Sequence, residues 1–195
     1  YVANRAHHAD IGGMAPGSMP LATEVFQEGF RLPPVRLVVG GRMNRDVLAL
    51  FLANTRVSSE RQGDLMAQWA ALRVGAERLG ELVGRVGGPL ALARQMASLQ
   101  DYSAALMAAS LRTLPAGTYR AHDVLDDDGL GTENIRIAVA ITIRGGRARI
   151  DFRGTAPQTR GPLNANLAVT RSAVLYVFTA LASESIPPNE GLIRP

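Results

Sequence analysis

An apolar stripe near the middle of the chain constrains the fold more than any other feature. Between Gly63 and Val86, apolar residues fall at Leu65, Trp69, Leu72, Ala76, Leu79, Val83 and Val86, at alternating spacings of four and three. That alternation keeps one continuous stripe on the face of an α-helix, whereas a strand would repeat every two residues. Gly75, Gly80 and Gly84 interrupt the helix at about 1 kcal/mol each relative to Ala, a cost that a close helix or backbone approach would offset. Gly87-Gly88 then stops the helix, and Pro89 sits where the first turn of a second one tolerates it. Leu92, Met96, Leu99, Leu106 and Leu111 mark a face of that second helix, which ends before Leu114-Pro115-Ala116-Gly117. The pair predicts a helical hairpin packed stripe on stripe within the protein, in preference to a stripe used for oligomerisation.

The flanks have other periods. Residues 1–41 read as an extended entry, "YVANRA", followed by irregular Gly- and Pro-rich chain, with a Pro-Pro turn leading into a short strand before Gly40-Gly41. Irregular stretches of that length are uncommon unless they serve a function. Asn44 is a good N-cap for a short helix in "RDVLALFLANTR". After Gly117 the pattern alternates: "TYRAHDVLDDDG" is a strand ending in an acidic turn, and Ile135, Ile137, Val139, Ile141 and Ile143 alternate with Arg, Ala and Thr in a half-buried antiparallel strand. Gly145-Gly146 supplies a two-residue hairpin turn, and "RARIDF" returns with Ala148, Ile150 and Phe152 inward. A loop over 154–169 follows. Thr170 then caps a last helix whose Val174, Leu175, Phe178 and Leu181 face one way. The expectation is an α+β fold: a site-loop region (1–41), a helical region (42–114), and a β meander plus a helix (115–195).

Composition narrows the chemistry. The chain has no cysteine, so disulfides and thiolate-held metals are excluded. Apolar runs break well short of the roughly 18–20 residues a membrane-spanning helix needs, and no basic-then-apolar leader begins the chain, so a cytoplasmic location and no membrane partner are expected. Every cation is arginine, scattered rather than grouped with aromatics, which make up only 5% of residues. That argues against a nucleic-acid partner.

The candidate site lies in "NRAHHADIGG", residues 4–13. Side chains of neighbouring residues on extended chain point oppositely, so His7 and His8 do not readily face one ion. A zinc-like site needs at least three ligands, more than this segment supplies at convincing spacing. Metal ligation, substrate or base work, and a structural loop role all remain open for the pair. "DDDG" at 126–129 lacks the register and distal glutamate of a calcium loop and reads as a solvent-exposed hairpin turn. The loop "DFRGTAPQTRGPLNAN" at 151–166 serves equally as a plain connection or as a donor of backbone and amide groups to a ligand. Neither glycine pair belongs to a phosphate-binding motif, and no nucleophile elbow or HExxH motif occurs.

"NRAHHADIGGMAPGSMP" resembles the signature region of the hydantoinase B / 5-oxoprolinase family, which includes the homologous subunit of acetone and acetophenone carboxylases. The resemblance continues through "EVFQEGFRLPPVRLV", "GDLMAQWAA", "DDDG", "IDFRGTAPQTRGPLNAN" and "TRSAVLYVFTAL", and so covers essentially the whole chain as the central part of a longer domain. It implies a metal-dependent subunit of an ATP-dependent cyclic-amide hydrolase, opening a hydantoin- or lactam-like ring together with an ATP-binding hydantoinase A-type partner in a hetero-oligomer. It also implies a divalent metal, zinc or manganese, held partly by an upstream His-x-x-Asp motif and by one histidine of the pair: His7, with His8 as the alternate. Asn4, Asp10, Gly12, Gly13 and Asn164 are candidates for supporting or substrate-contacting roles, and no catalytic residue is assigned. Because the chain begins after the position of the His-x-x-Asp motif, the isolated segment is expected to be inactive. The alternatives are a subunit of an ATP-dependent ketone carboxylase and a non-catalytic interaction domain of such a complex.

Overall fold

A computed structural model describes residues 1–17, 20–182 and 185–195; the Ser18-Met19 part of the Gly/Pro-rich stretch lies outside them. The fold is α+β, as expected, and divides into two compact units, Tyr1–Gly84 and Arg85–Pro195.

In the first unit, a single helical turn α1 (Val25–Glu28) leads to a hairpin of β1 (Val38–Val39) and β2 (Arg42–Met43), closed by Gly40-Gly41 at φ 56° and 74°. Helix α2 (Arg45–Ala53) starts at the expected cap: the Asn44 side chain accepts from the backbone N–H groups of Asp46 and Val47. Helix α3 (Ser58–Val86) begins seven residues before the first residue of the apolar stripe, Leu65. The stripe is half-buried except at Ala76, which is exposed. The entry, expected as a strand, is not one. Residues 1–8 have no strand partner; they are held by α3, where Asn4 Nδ2 donates to the Gln68 carbonyl at 2.9 Å. This accounts for Gly75, because a Cβ there would lie 3.0 Å from Val2 Cγ1. A Cβ at Gly80 or Gly84 would meet open space, so no close approach explains those two.

In the second unit, β3 (Gly117–Asp127), β4 (Glu133–Arg144) and β5 (Arg147–Asp151) form the predicted antiparallel meander, with β4 central. Its inner face packs against the end of α4 (Pro89–Thr113), against α5 (Leu167–Leu181) and against a 3-10 turn (Glu190–Ile193). The core is Met107, Leu111, Phe178 and Leu192, with Ile141, Ile150 and Val174 among the residues packed on it.

Four expectations are corrected here. The buried face of α4 is Ser103, Met107 and Leu111, while Met96 and Leu99 are exposed. Ser103 escapes an apolar pattern because its burial is polar: Oγ donates to the Pro187 carbonyl at 3.0 Å and accepts from Asn189 Nδ2 at 2.8 Å. Helix α5 is capped by Asn166 rather than Thr170, with the Asn166 side chain accepting from the Val169 N–H, so the helix starts four residues early; Leu181 at its end is exposed. Ile137 of β4 is 40% exposed, whereas Ala138 on the opposite face is buried under Thr155, whose hydroxyl bonds both its N–H and its carbonyl at 3.0 Å. The acidic turn is not fully solvated, because Asp128 is buried and its Oδ1 accepts from the Leu130 and Thr132 N–H groups at 2.9 Å. Those two backbone donors pull its carboxyl pKa below the usual value, the Thr132 N–H most strongly and against the opposing effect of burial.

Among the described residues, no helix is long and apolar enough to cross a membrane.

Candidate functional site

The candidate residues of 4–13 all fall in the first unit, on a loop with almost no regular structure, so side chains and glycine geometry set its shape. Asp10 is the anchor. It is buried, its Oδ1 accepts from the Gly12 N–H at 3.1 Å, and its Oδ2 accepts from the Arg56 backbone N–H. The Arg56 guanidinium completes a clamp. Nη1 reaches Asp10 Oδ1 at 2.8 Å and the Gly12 carbonyl at 3.2 Å, and Nη2 reaches the Gly13 carbonyl at 2.7 Å. The Arg56 backbone N–H is the main cause holding the Asp10 carboxyl below its ordinary pKa, aided by the Gly12 N–H and the guanidinium and opposed by burial. Asp10 is therefore ionised and fully engaged. Arg56, which sequence reasoning missed, lies 46 residues away, and no local pattern pairs the two.

Gly12 and Gly13 have φ of 83° and 75°, backbone that side chains other than hydrogen rarely adopt. They are also pressed against neighbouring backbone: a Cβ on Gly12 would lie 2.6 Å from the Asn54 carbonyl oxygen, and one on Gly13 would lie 2.6 Å from those of Gln27 and Glu28. The loop is thereby seated between the α1 turn and the end of α2, with the Met14 N–H donating to the Gln27 carbonyl at 2.9 Å and the Phe30 N–H to the Ile11 carbonyl at 2.7 Å.

The two histidines diverge. His7 is exposed, and His8 is half-buried. The His8 ring stands edge-on to Phe51 at a centroid distance of 5.8 Å, and its Nε2 is 3.3 Å from Gln68 Oε1. Its Nδ1 is buried without a hydrogen bond, 3.7 Å from Asp64 Oδ2. The Asp64 carboxylate also takes the buried Arg61 guanidinium at 3.2 Å, and Arg61 reaches Glu60 at 3.1 Å. Asp64 and Gln68, four apart, share a face of α3. The signal for them was present in the helical period, but only apolar positions were read from it.

Asn4 serves the scaffold through Gln68, as described. Asn164 lies in the second unit, where it ties its own loop together: its Oδ1 accepts from the Thr159 N–H at 3.0 Å, and its Nδ2 donates to the Thr159 and Gly161 carbonyls.

These donors do not by themselves suit a divalent metal. Among the described residues no group of three or more His, Asp or Glu side chains converges. One half-buried imidazole beside one carboxylate, the latter already paired with Arg61, falls short of the three protein ligands such a site needs.

The match to known proteins is extensive. A family model described as Hydantoinase B/oxoprolinase matches residues 1–195. This chain belongs to that family. It is 36% identical over 191 residues to the caprolactamase subunit beta of Pseudomonas jessenii, covering 97% of this chain and 32% of that protein. It is 33% identical over 210 residues to the 5-oxoprolinase of Saccharomyces cerevisiae, covering 100% of this chain and 16% of that protein. Among solved structures, the ATP-dependent caprolactamase from Pseudomonas jessenii superimposes with a TM-score of 0.85 at 35% identity, over 96% of this chain and 32% of that one. Acetone carboxylase in its nucleotide-free form gives a TM-score of 0.81 at 19% identity, over 96% of this chain and 26% of that one, a likeness of fold alone. The chain spans about a third of the length of the first curated relatives it matches.

Proposed function

We propose that this chain is the histidine-loop portion of a subunit that, with an ATP-binding A-type partner, opens a cyclic amide by hydrolysis. In that reaction water adds to the ring carbonyl carbon and the C–N bond breaks, leaving a carboxylate and a nitrogen that takes up a proton (an amine from a lactam, a ureido group from a hydantoin), coupled to hydrolysis of ATP to ADP and phosphate on the partner. The observation that carries the reading is the likeness to ATP-dependent caprolactamase over 96% of this chain at 35% identity. The rigid seating of 4–13 supports it: a clamped, glycine-shaped loop presents an exposed His7 next to an anchored His8. Ketone carboxylation gains nothing from the acetone carboxylase likeness, which at 19% identity speaks to fold only.

The reading extends to a ligand role. One histidine of the pair, His7 with His8 as alternate, contributes to a divalent metal, zinc or manganese, whose remaining ligands come from outside residues 1–195. A metal so held supplies Lewis acidity and a nucleophile near neutral pH. The test uses the full-length protein with its ATP-binding partner, assayed for ATP-dependent opening of hydantoin, 5-oxoproline and caprolactam rings, with metal content measured in parallel. His7→Ala is expected to lower both metal stoichiometry and ring opening. Unchanged metal and activity in both His7→Ala and His8→Ala would remove the ligand role. Absence of ring opening in the intact complex, with the complex still assembled, would favour a non-catalytic interaction domain.

A further inference from the structure

The outer face of the three-stranded sheet has a charge pattern that ring opening does not use. Strand alternation puts Arg120 of β3, Arg136 and Arg144 of β4, and Arg147 and Arg149 of β5 on one face, and Arg153 just beyond β5 joins them in lining it. The same face of β5 holds one carboxylate, Asp151. By the same alternation Asp126 lies toward the far end of β3, and six arginines against two acids is still far from the balance of the whole chain, 21 cations to 17 acids. A face that is merely solvated would be expected to mix signs much as the whole chain does.

Two further observations separate this face from a solvated one. Arg144 and Arg147 are direct cross-strand partners, an arrangement that destabilises a sheet when no anion lies between the like charges. The face is also concave. Small side chains floor it, with Ala138 and Ala140 on the central strand and Gly154 beside them, its position for a Cβ 3.6 Å from Ala138 Cβ. Two adjoining depressions, about 300 and 180 Å3, share Arg120, Ala140 and Arg153. Arg153 is fixed in place by Asp151, whose carboxylate takes its Nε at 2.8 Å and also its Nη2. That pairing pulls the Asp151 pKa down to about 2, so the clamp stays ionised. Among the described residues, the other five arginines make no ion pair with a carboxylate.

We propose that this trough binds a compact oligophosphate, a molecule carrying two or more phosphate groups. Guanidinium forks match phosphate oxygens in pairs, and Arg120 and Arg149 flank the floor from strands two inter-strand spacings apart, about 10 Å. The Thr118 and Thr142 hydroxyls, 3.0 Å apart at one end, add uncharged donors. A nucleic-acid strand is disfavoured because neither depression is lined by Phe, Tyr or Trp, and a single imidazole, His122, is too little to stack successive bases. The site does not depend on the ring-opening reading.

The experiment titrates pyrophosphate into the full-length protein by calorimetry at low and high salt, with citrate and hexaglutamate as comparison ligands. The expected result is saturable binding of one pyrophosphate per chain, at least tenfold tighter than citrate or hexaglutamate and weakened by salt. Arg120→Gln and Arg149→Gln, both exposed and neutral to the fold, are each expected to weaken it at least tenfold. Ala140→Leu, which fills the floor without changing charge, is expected to do the same, and the two arginine variants carry the test if it fails to fold. Non-saturable binding, binding indifferent to all three variants, or tighter binding of citrate or hexaglutamate would each overturn the proposal, the last in favour of a general carboxylate or acidic-polypeptide surface. Because ring opening is not the readout, failure here and failure of the ring-opening reading are separate results.

Discussion

Replacing Gly13 by Ala tests whether the histidine loop is held by close backbone packing, and the first unit contains a matched control. Gly13 has φ 75° and Gly41 has φ 74°, so Ala meets nearly the same backbone strain at both. That strain is about 1–2 kcal/mol for a left-handed residue with a side chain, offset by about 0.5–1 kcal/mol because Ala restricts the unfolded chain more than Gly does. The surroundings differ. A Cβ at Gly41 meets nothing within 4 Å, while one at Gly13 lies 2.6 Å from two carbonyl oxygens and 2.7 Å from the Glu28 carbonyl carbon. Those are backbone atoms that no rotamer change can move, so overpacking adds about 1–3 kcal/mol at Gly13 only. A difference of that size is about 5–150-fold in a local equilibrium. Amide hydrogen exchange reads it site by site: Met14 and Phe30, bonded to the Gln27 and Ile11 carbonyls, report on Gly13, and Asn44, bonded to the Leu37 carbonyl at 2.8 Å, reports on Gly41. If Gly13→Ala speeds exchange at Met14 and Phe30 no more than Gly41→Ala speeds it at Asn44, the loop is not seated as described.

Two further outcomes follow from the second unit. Met107 is 2% exposed and Met96 is 56% exposed on the same helix, so Met107→Ala should cost about 2–5 kcal/mol and Met96→Ala within about 0.5 kcal/mol; equal shifts in urea midpoint would mean that the buried face of α4 is misplaced. Asp151 titrates at about 2 when folded, below the roughly 3.9 of an unfolded aspartate. Its folded pKa is depressed, so the stability it contributes is complete above about pH 4 and is lost as pH falls toward 2. Asp151→Asn should flatten that part of the acid-unfolding profile, and a carboxyl NMR titration midpoint near 4 would contradict the Arg153 clamp.

Where burial is apolar and periodic, the sequence was readable: the long helix, the meander with its Gly-Gly turn, and the Asn44 cap are all found. Where burial is polar, it was not. Ser103 and Asp128 are among the most deeply buried side chains of the described residues, and both are there because backbone groups distant or irregular in sequence bond to them. The start of α5 turns on one hydrogen bond, from the Val169 N–H to the Asn166 side chain, which the apolar period beginning after Thr170 does not signal. The histidine loop was locatable from its residue types, but its shape comes from Arg56, Asp64 and Gln68, which lie on helices or their flanks 46 to 60 residues away.

That shape bears on which histidine is free to take a ligand. His8 has Nε2 against Gln68 and Nδ1 buried without a hydrogen bond, 3.7 Å from Asp64 Oδ2, with Phe51 against its edge. A ligand at Nε2 would displace the Gln68 amide. One at Nδ1 would enter a buried space beside a carboxylate that Arg61, itself buried, needs as its counter-charge. His7 carries neither cost, being exposed on a backbone that the Asp10–Arg56 clamp fixes only three residues further on. The division of labour this favours is a ligand role for His7 and a positioning role for His8. Under it, His8→Gln, which keeps an amide near Gln68, should retain metal in the full-length protein while His7→Gln should lose it. The reverse pattern would make His8 the ligand and show that the Gln68 contact gives way when the metal binds.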